Sequence, residues 1–130
     1  MAASPRLRCA QGNLSIAEVN ANTRAGTVIV PPSGGRTITV VDGWLRSIGA
    51  DPGGNTAFIV TDTAASPVTV LSVTRATLNS NVVARAGITN VTATNLGTAL
   101  TGGCGLRIGC TVGDVTTSTS LDYCILYTVT

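Results

Sequence analysis

A chain of 130 residues, 44% of them hydrophobic, has the length of one domain and can hold a core without staples. Only 11% of residues are charged, all eight cations are arginines and the net charge is +2, which excludes the dense basic patch of a duplex-binding protein. Aromatics at 3% leave no stacking platform for single strands, no apolar run approaches the roughly 18 to 20 residues of a membrane helix, and the lack of histidine removes Ser-His-Asp and Cys-His machinery.

Residues 1–25 are expected as an N-terminal arm, apart from a β-sandwich domain over 26–130. They hold the sole glutamate, Glu18, two asparagine-containing pieces and no clear strand. Leu14, Ile16 and Val19 are spaced to line a short strand or one turn of helix. Two readings of the arm are open: it orders against a partner, or it is a frayed terminus. The start Met1-Ala2-Ala3-Ser4-Pro5-Arg6 is followed by polar residues instead of an apolar h-region, so synthesis in a reducing cytoplasm is expected.

From Gly26 the punctuation changes. Thr27–Val30 is β-branched and ends at the turn signal Pro31-Pro32-Ser33-Gly34-Gly35. Arg36–Val41 alternates, with Ile38 and Val40 opposite Thr37 and Thr39. Asp42-Gly43 is expected to break that strand and Trp44–Ile48 to form another. A turn at Asp51–Asn55 precedes the strand Thr56–Asp62. Pro67–Thr74 and Asn81–Arg85 are further strands, and Ile88–Gly97 is Thr/Asn-rich and expected to include a loop. Cys104–Val112 places Cys104, Leu106, Ile108, Cys110 and Val112 on one face. Ser120–Val129 is apolar on both faces, which suits a central strand or an oligomer interface. About eight short strands, turns every roughly 8 to 12 residues and no convincing helix predict an all-β, jelly-roll-like sandwich of antiparallel strands, with an immunoglobulin-like sandwich second.

The four cysteines, Cys9, Cys104, Cys110 and Cys124, contain no C-x-x-C pair, so a zinc site is not expected. Cys104 and Cys110 are predicted to share a strand face, with Cys124 on the next strand within reach of one of them. The plainer reading is that they are buried small hydrophobes. Asp42, Asp51, Asp62 and Asp114 sit in or beside turns, where aspartate caps the backbone. Asp122, in the last strand, is expected to pair with an arginine such as Arg107. Gly102-Gly103-Cys104-Gly105 lacks the Gly-Lys-Ser/Thr of a phosphate loop. Asp51–Asn55 offers too few oxygens for a calcium loop. Asn13-Leu14-Ser15 and Asn90-Val91-Thr92 match the glycosylation triplet, as Thr-rich chains do by chance. No catalytic residue, metal or cofactor is expected, and no enzyme activity.

The missing lysines and scarce carboxylates have two readings: a Thr-rich β-protein that is simply uncharged outside, or, the one favoured here, surface covered by copies of the chain or by a partner. Interface cores lose Lys, Glu and Asp while Arg is retained. The candidate interface residues are Leu14, Ile16, Val19, Arg24, Trp44, Arg107, Tyr123 and Tyr127. Trp44 has two readings, a surface anchor or a core residue.

Three stretches carry a resemblance: Gly26–Gly49 (GTVIVPPSGGRTITVVDGWLRSIG), Val91–Gly109 (VTATNLGTALTGGCGLRIG) and Leu121–Tyr127 (LDYCILY). They resemble small virion proteins of tailed bacteriophages, of the head decoration or cement type. The resemblance spans residues 26 to 130 and has no catalytic signature; the cysteines are not part of it. It implies a jelly-roll-like domain that trimerises on the capsid exterior and clamps the major capsid protein, with no nucleic acid or membrane partner. A carbohydrate-binding sandwich of a tail fibre or receptor-binding tip is the alternative.

Overall fold

The computed structural model describes residues 6–78, 82–87 and 91–130. Its elements in chain order are β1 (Leu7–Ser15), α1 (Ile16–Asn20), β2 (Thr27–Val30), β3 (Ile38–Ile48), β4 (Ala57–Asp62), β5 (Thr69–Thr74), β6 (Val83–Arg85), β7 (Val91–Thr92), β8 (Leu106–Thr111) and β9 (Ser120–Val129). The strands form two antiparallel sheets, ordered β1-β9-β3-β6 and β2-β8-β4-β5-β7. The all-β sandwich expected from the strand pattern is therefore the fold. Asn81 of one expected strand, Ile88–Asn90 of the expected loop and Met1–Pro5 lie outside the described residues.

The core lies between the sheets. Phe58 and Val60 of β4, Leu71 and Val73 of β5, and Leu106 and Ile108 of β8 meet Val40 and Leu45 of β3 and Leu121 and Ile125 of β9. Phe58, Leu45 and Leu106 are fully buried. Burying each such side chain contributes about 1.5–3 kcal/mol. The strand with two apolar faces, β9, is central to its sheet, between β1 and β3.

Three expectations need correcting. Residues 7–25 are not an arm apart from the sandwich. β1 pairs along its whole length with β9, from Leu7 opposite Thr128 to Ser15 opposite Ser120. Leu14 and Val19 belong to the common core. The strand was hard to read because Leu14 is the only large apolar residue on its inward side, where Arg8, Ala10 and Gly12 supply the rest. A capping box then starts α1. The Glu18 amide donates to Ser15 Oγ (3.2 Å), and the Ser15 amide donates to Glu18 Oε1 (3.0 Å).

Second, Asp42-Gly43 does not end a strand. β3 runs through it, with a register shift between Val40 and Asp42 against β9. A bulge absorbs the extra residue, and the Gly43 amide donates to Asp42 Oδ1 (2.8 Å). A Cβ on Gly43 would stand 2.8 Å from Ile125 Cδ1, so the core packs onto bare backbone there.

Third, the Thr/Asn-rich segment expected to include a loop also holds a strand, β7, which pairs with β5. The following segment covers the part of the β3 edge that β6 leaves open. The Gly97 amide donates to the Val40 carbonyl and the Leu100 amide to the Ile38 carbonyl, both at 2.9 Å. Among the described residues, no helix is long and apolar enough to cross a membrane.

Candidate interaction face

Because side chains alternate along a strand, the buried residues of the first sheet fix what its other face carries. On β9, Leu121, Ile125 and Tyr127 are buried, so Asp122, Cys124 and Leu126 point outward. The pairing registers with β1 and β3 then set out rows across three strands. Cys9, Leu126 and Asp42 form one row. Gln11, Cys124 and Trp44 form the next. Asn13, Asp122 and Arg46 form the third. On the far side, Arg85 of β6 stands beside Trp44 and Val83 beside Arg46.

The third row is held by hydrogen bonds. Arg46 Nη2 donates to Asp122 Oδ2 (2.6 Å) and Asn13 Nδ2 to Asp122 Oδ1 (2.8 Å). Donation from Arg46 first and Asn13 second holds the Asp122 carboxyl below the usual aspartate range. This corrects the expected partner of Asp122: Arg107 lies on β8, in the other sheet. The Arg46 guanidinium also sits over Trp44, 6.0 Å from the ring centroid. Asp42 pairs with Arg85 at 3.6 Å. A shallow depression of about 320 Å³ is lined by Gln11, Gly12, Trp44, Asp122 and Tyr123.

The candidate residues named from sequence do not converge. Leu14, Val19 and Tyr127 are buried in the protein's own core, and Ile16 packs against it. The period-two and one-turn patterns that picked them out report burial, not exposure. Tyr123 is half-buried and lies against Gly12, where a Cβ would come within 3.1 Å of its hydroxyl. Burial pushes the Tyr123 phenol up, and the Glu18 charge adds to this. Arg24 is on the surface and pairs with Asp114 at 3.4 Å. Arg107 is half-buried, and its Nε has no hydrogen-bond partner among the described residues. Only Trp44 and Tyr123 share the depression.

Sequence reasoning missed Arg46, Asn13, Gln11, Cys9 and Leu126. No local signal marks them, since their grouping comes from register across strands far apart in the chain. The plainer reading of the cysteines, as buried small hydrophobes, holds for Cys110 and not for the exposed Cys9. Cys104 precedes β8 and lines a small cleft of about 40 Å³ with Arg8, Arg36 and Tyr127. Cys110 is buried, and burial pushes its thiol up. Cys124 faces Cys9 on β1 instead of either.

Of the four aspartates expected to serve the backbone at turns, Asp62 does so at the end of β4, and Asp42 accepts from the Gly43 amide inside β3. Asp62 is fully buried and Oδ1 accepts from the amides of Ala64 (3.2 Å) and Val68 (3.0 Å). Among the described residues, no group of His, Cys, Asp and Glu is placed to hold a metal ion.

The fold and this face define a two-sheet β-sandwich that presents a sheet surface of paired charges around one tryptophan. No family model, no curated protein and no solved structure matches the chain.

Proposed function

We propose that this chain is a non-enzymatic virion structural protein that binds the outside of a phage capsid as a trimer and stabilises it. The strand order is the observation that carries the reading. With the two-residue β7 set aside, the eight remaining strands read 1-8-3-6 and 2-7-4-5 across the two sheets. That order supports reading the sandwich as a jelly roll, an architecture of viral capsid proteins and lectins. The sequence resemblance to head decoration proteins points the same way.

The surface fits this role. Charged groups on the outward face of the β1-β9-β3-β6 sheet are paired with one another: Arg46 with Asp122 and Arg85 with Asp42. Beside them lie Trp44, Leu126 and Val83. Pre-paired charges and apolar side chains suit contact with protein more than with water. Three such contacts in one trimer bind far more tightly than one alone.

Light scattering on the purified protein tests the assembly. A trimer has a mass of about 39 kDa, three chains of 13.1 kDa each. A monomer at every concentration contradicts the proposal.

A second reading, sugar binding, has one observation in its favour. Trp44 shares a depression with Gln11 and Asp122, an aromatic face beside amide and carboxylate groups. A monomer that binds glycans, with binding lost in Trp44→Ala, favours that reading.

A further inference from the structure

Cys9 and Cys124 project from the same face of neighbouring strands, and their Sγ atoms are 3.1 Å apart. Cys9 opposes Leu126 and Cys124 opposes Gln11, so the two are diagonal neighbours across the β1/β9 ladder. A disulfide needs a sulfur separation of about 2.05 Å, so a closing movement of roughly 1 Å joins them. Neither Cys104, on the cleft, nor Cys110, in the core, makes a sulfur–sulfur contact among the described residues.

We propose that Cys9 and Cys124 are a redox latch, which a small-molecule disulfide closes into an intramolecular bond tying β1 to β9. The inference rests on the strand register and does not depend on the capsid reading.

The two thiols have different roles. Cys9 is exposed and meets the reagent first. Its thiolate attacks one sulfur of the small disulfide and expels one thiolate, leaving Cys9 in a mixed disulfide. Cys124 is half-buried, and burial and the neighbouring Cys9 thiol push its pKa up to about 11. It is therefore slow to ionise on its own, but its sulfur is held beside the activated one. It gives up its proton and attacks the Cys9 sulfur, expelling the second thiolate. Two protein thiols are oxidised to one disulfide, one small disulfide is reduced to two thiols, and the two protons pass to the leaving thiolates.

The bond closes a loop between residues 115 apart in sequence, nearly the whole chain. Long loops gain most from closure, because the unfolded chain loses most freedom. The location adds to the effect. β1 is an edge strand held by β9 alone, so peeling from the N-terminal side is the opening the bond would block.

The test is oxidation of the purified chain with glutathione disulfide, followed by thiol counting, peptide mapping and thermal melting. The expected results are loss of two of the four thiols, a Cys9–Cys124 cross-linked peptide and a Tm about 10 °C or more above that of the reduced form. Cys104→Ser should keep the shift, while Cys9→Ser and Cys124→Ser should each abolish it. Stable glutathionylation at Cys9, an intermolecular Cys9 dimer, or a cross-link that leaves Tm unchanged overturns the proposal.

Discussion

Arg46 on β3 and Asp122 on β9 are opposite one another in the sheet and joined at 2.6 Å, with Asn13 of β1 closing on the same carboxylate. One aspartate thus links three strands whose sequence positions span most of the chain. The Arg46 side chain is 38% exposed, so solvent screens the pair. Its net contribution is about 1 kcal/mol or less.

The pH dependence follows from the lowered carboxyl of Asp122. As pH falls, the unfolded chain takes up this proton before the folded one does. The stabilisation is therefore present above the ordinary aspartate value, about 4, and is lost as pH drops through the lowered one. Asp122→Asn should cost up to about 1 kcal/mol at pH 7 and close to nothing at about pH 2. Urea midpoints of both proteins at the two pH values check this. An equal loss at both would mean that charge is not the cause.

Residues 7–25 are part of the fold. Val19 is fully buried and Leu14 is 5% exposed. Removing residues 2–25 strips β9 of one neighbour and opens the core, so that chain should not fold. Val19→Ala should cost about 2 kcal/mol in urea unfolding. A truncated protein with the melting temperature of the full chain would show that the segment is dispensable.

Val112 is an exception among the valines. Its φ is +72° and it is 79% exposed, directly after β8. A β-branched side chain in the left-handed region is strained by about 1–3 kcal/mol. Glycine removes that strain and forfeits about 0.5–1 kcal/mol of backbone entropy. Val112→Gly should therefore raise Tm by a few degrees in a thermal melt. A fall in Tm would show that the valine side chain makes a stabilising contact.

Sequence periodicity was enough for the sandwich, because the strands with a clear apolar side are the ones that build its core. Thr69–Thr74, Leu106–Thr111 and Ser120–Val129 each declare themselves locally. β1 does not. As an edge strand it needs only one large apolar contact, Leu14, and it looks polar in isolation. The bulge at Val41 concealed the continuity of β3 for a related reason, since Asp42-Gly43 reads as a turn unless its partner strand is known. The face was even less legible. Trp44 stood out as the lone tryptophan, but Arg46, Asp122 and Asn13 become a group only through pairing across 76 and 109 residues of chain. The apolar residues named with Trp44 as interface candidates were found by the same signal that marks a core, and most of them are core.

The most direct test of the capsid role is reassembly. Mature phage heads stripped of their decoration are mixed with the purified protein, sedimented and assayed for bound chain and heat resistance. Saturable uptake in multiples of three, with restored resistance and at least tenfold weaker uptake of folded Trp44→Ala, is the predicted result. Heads that remain bare and fragile at every protein concentration would contradict the account.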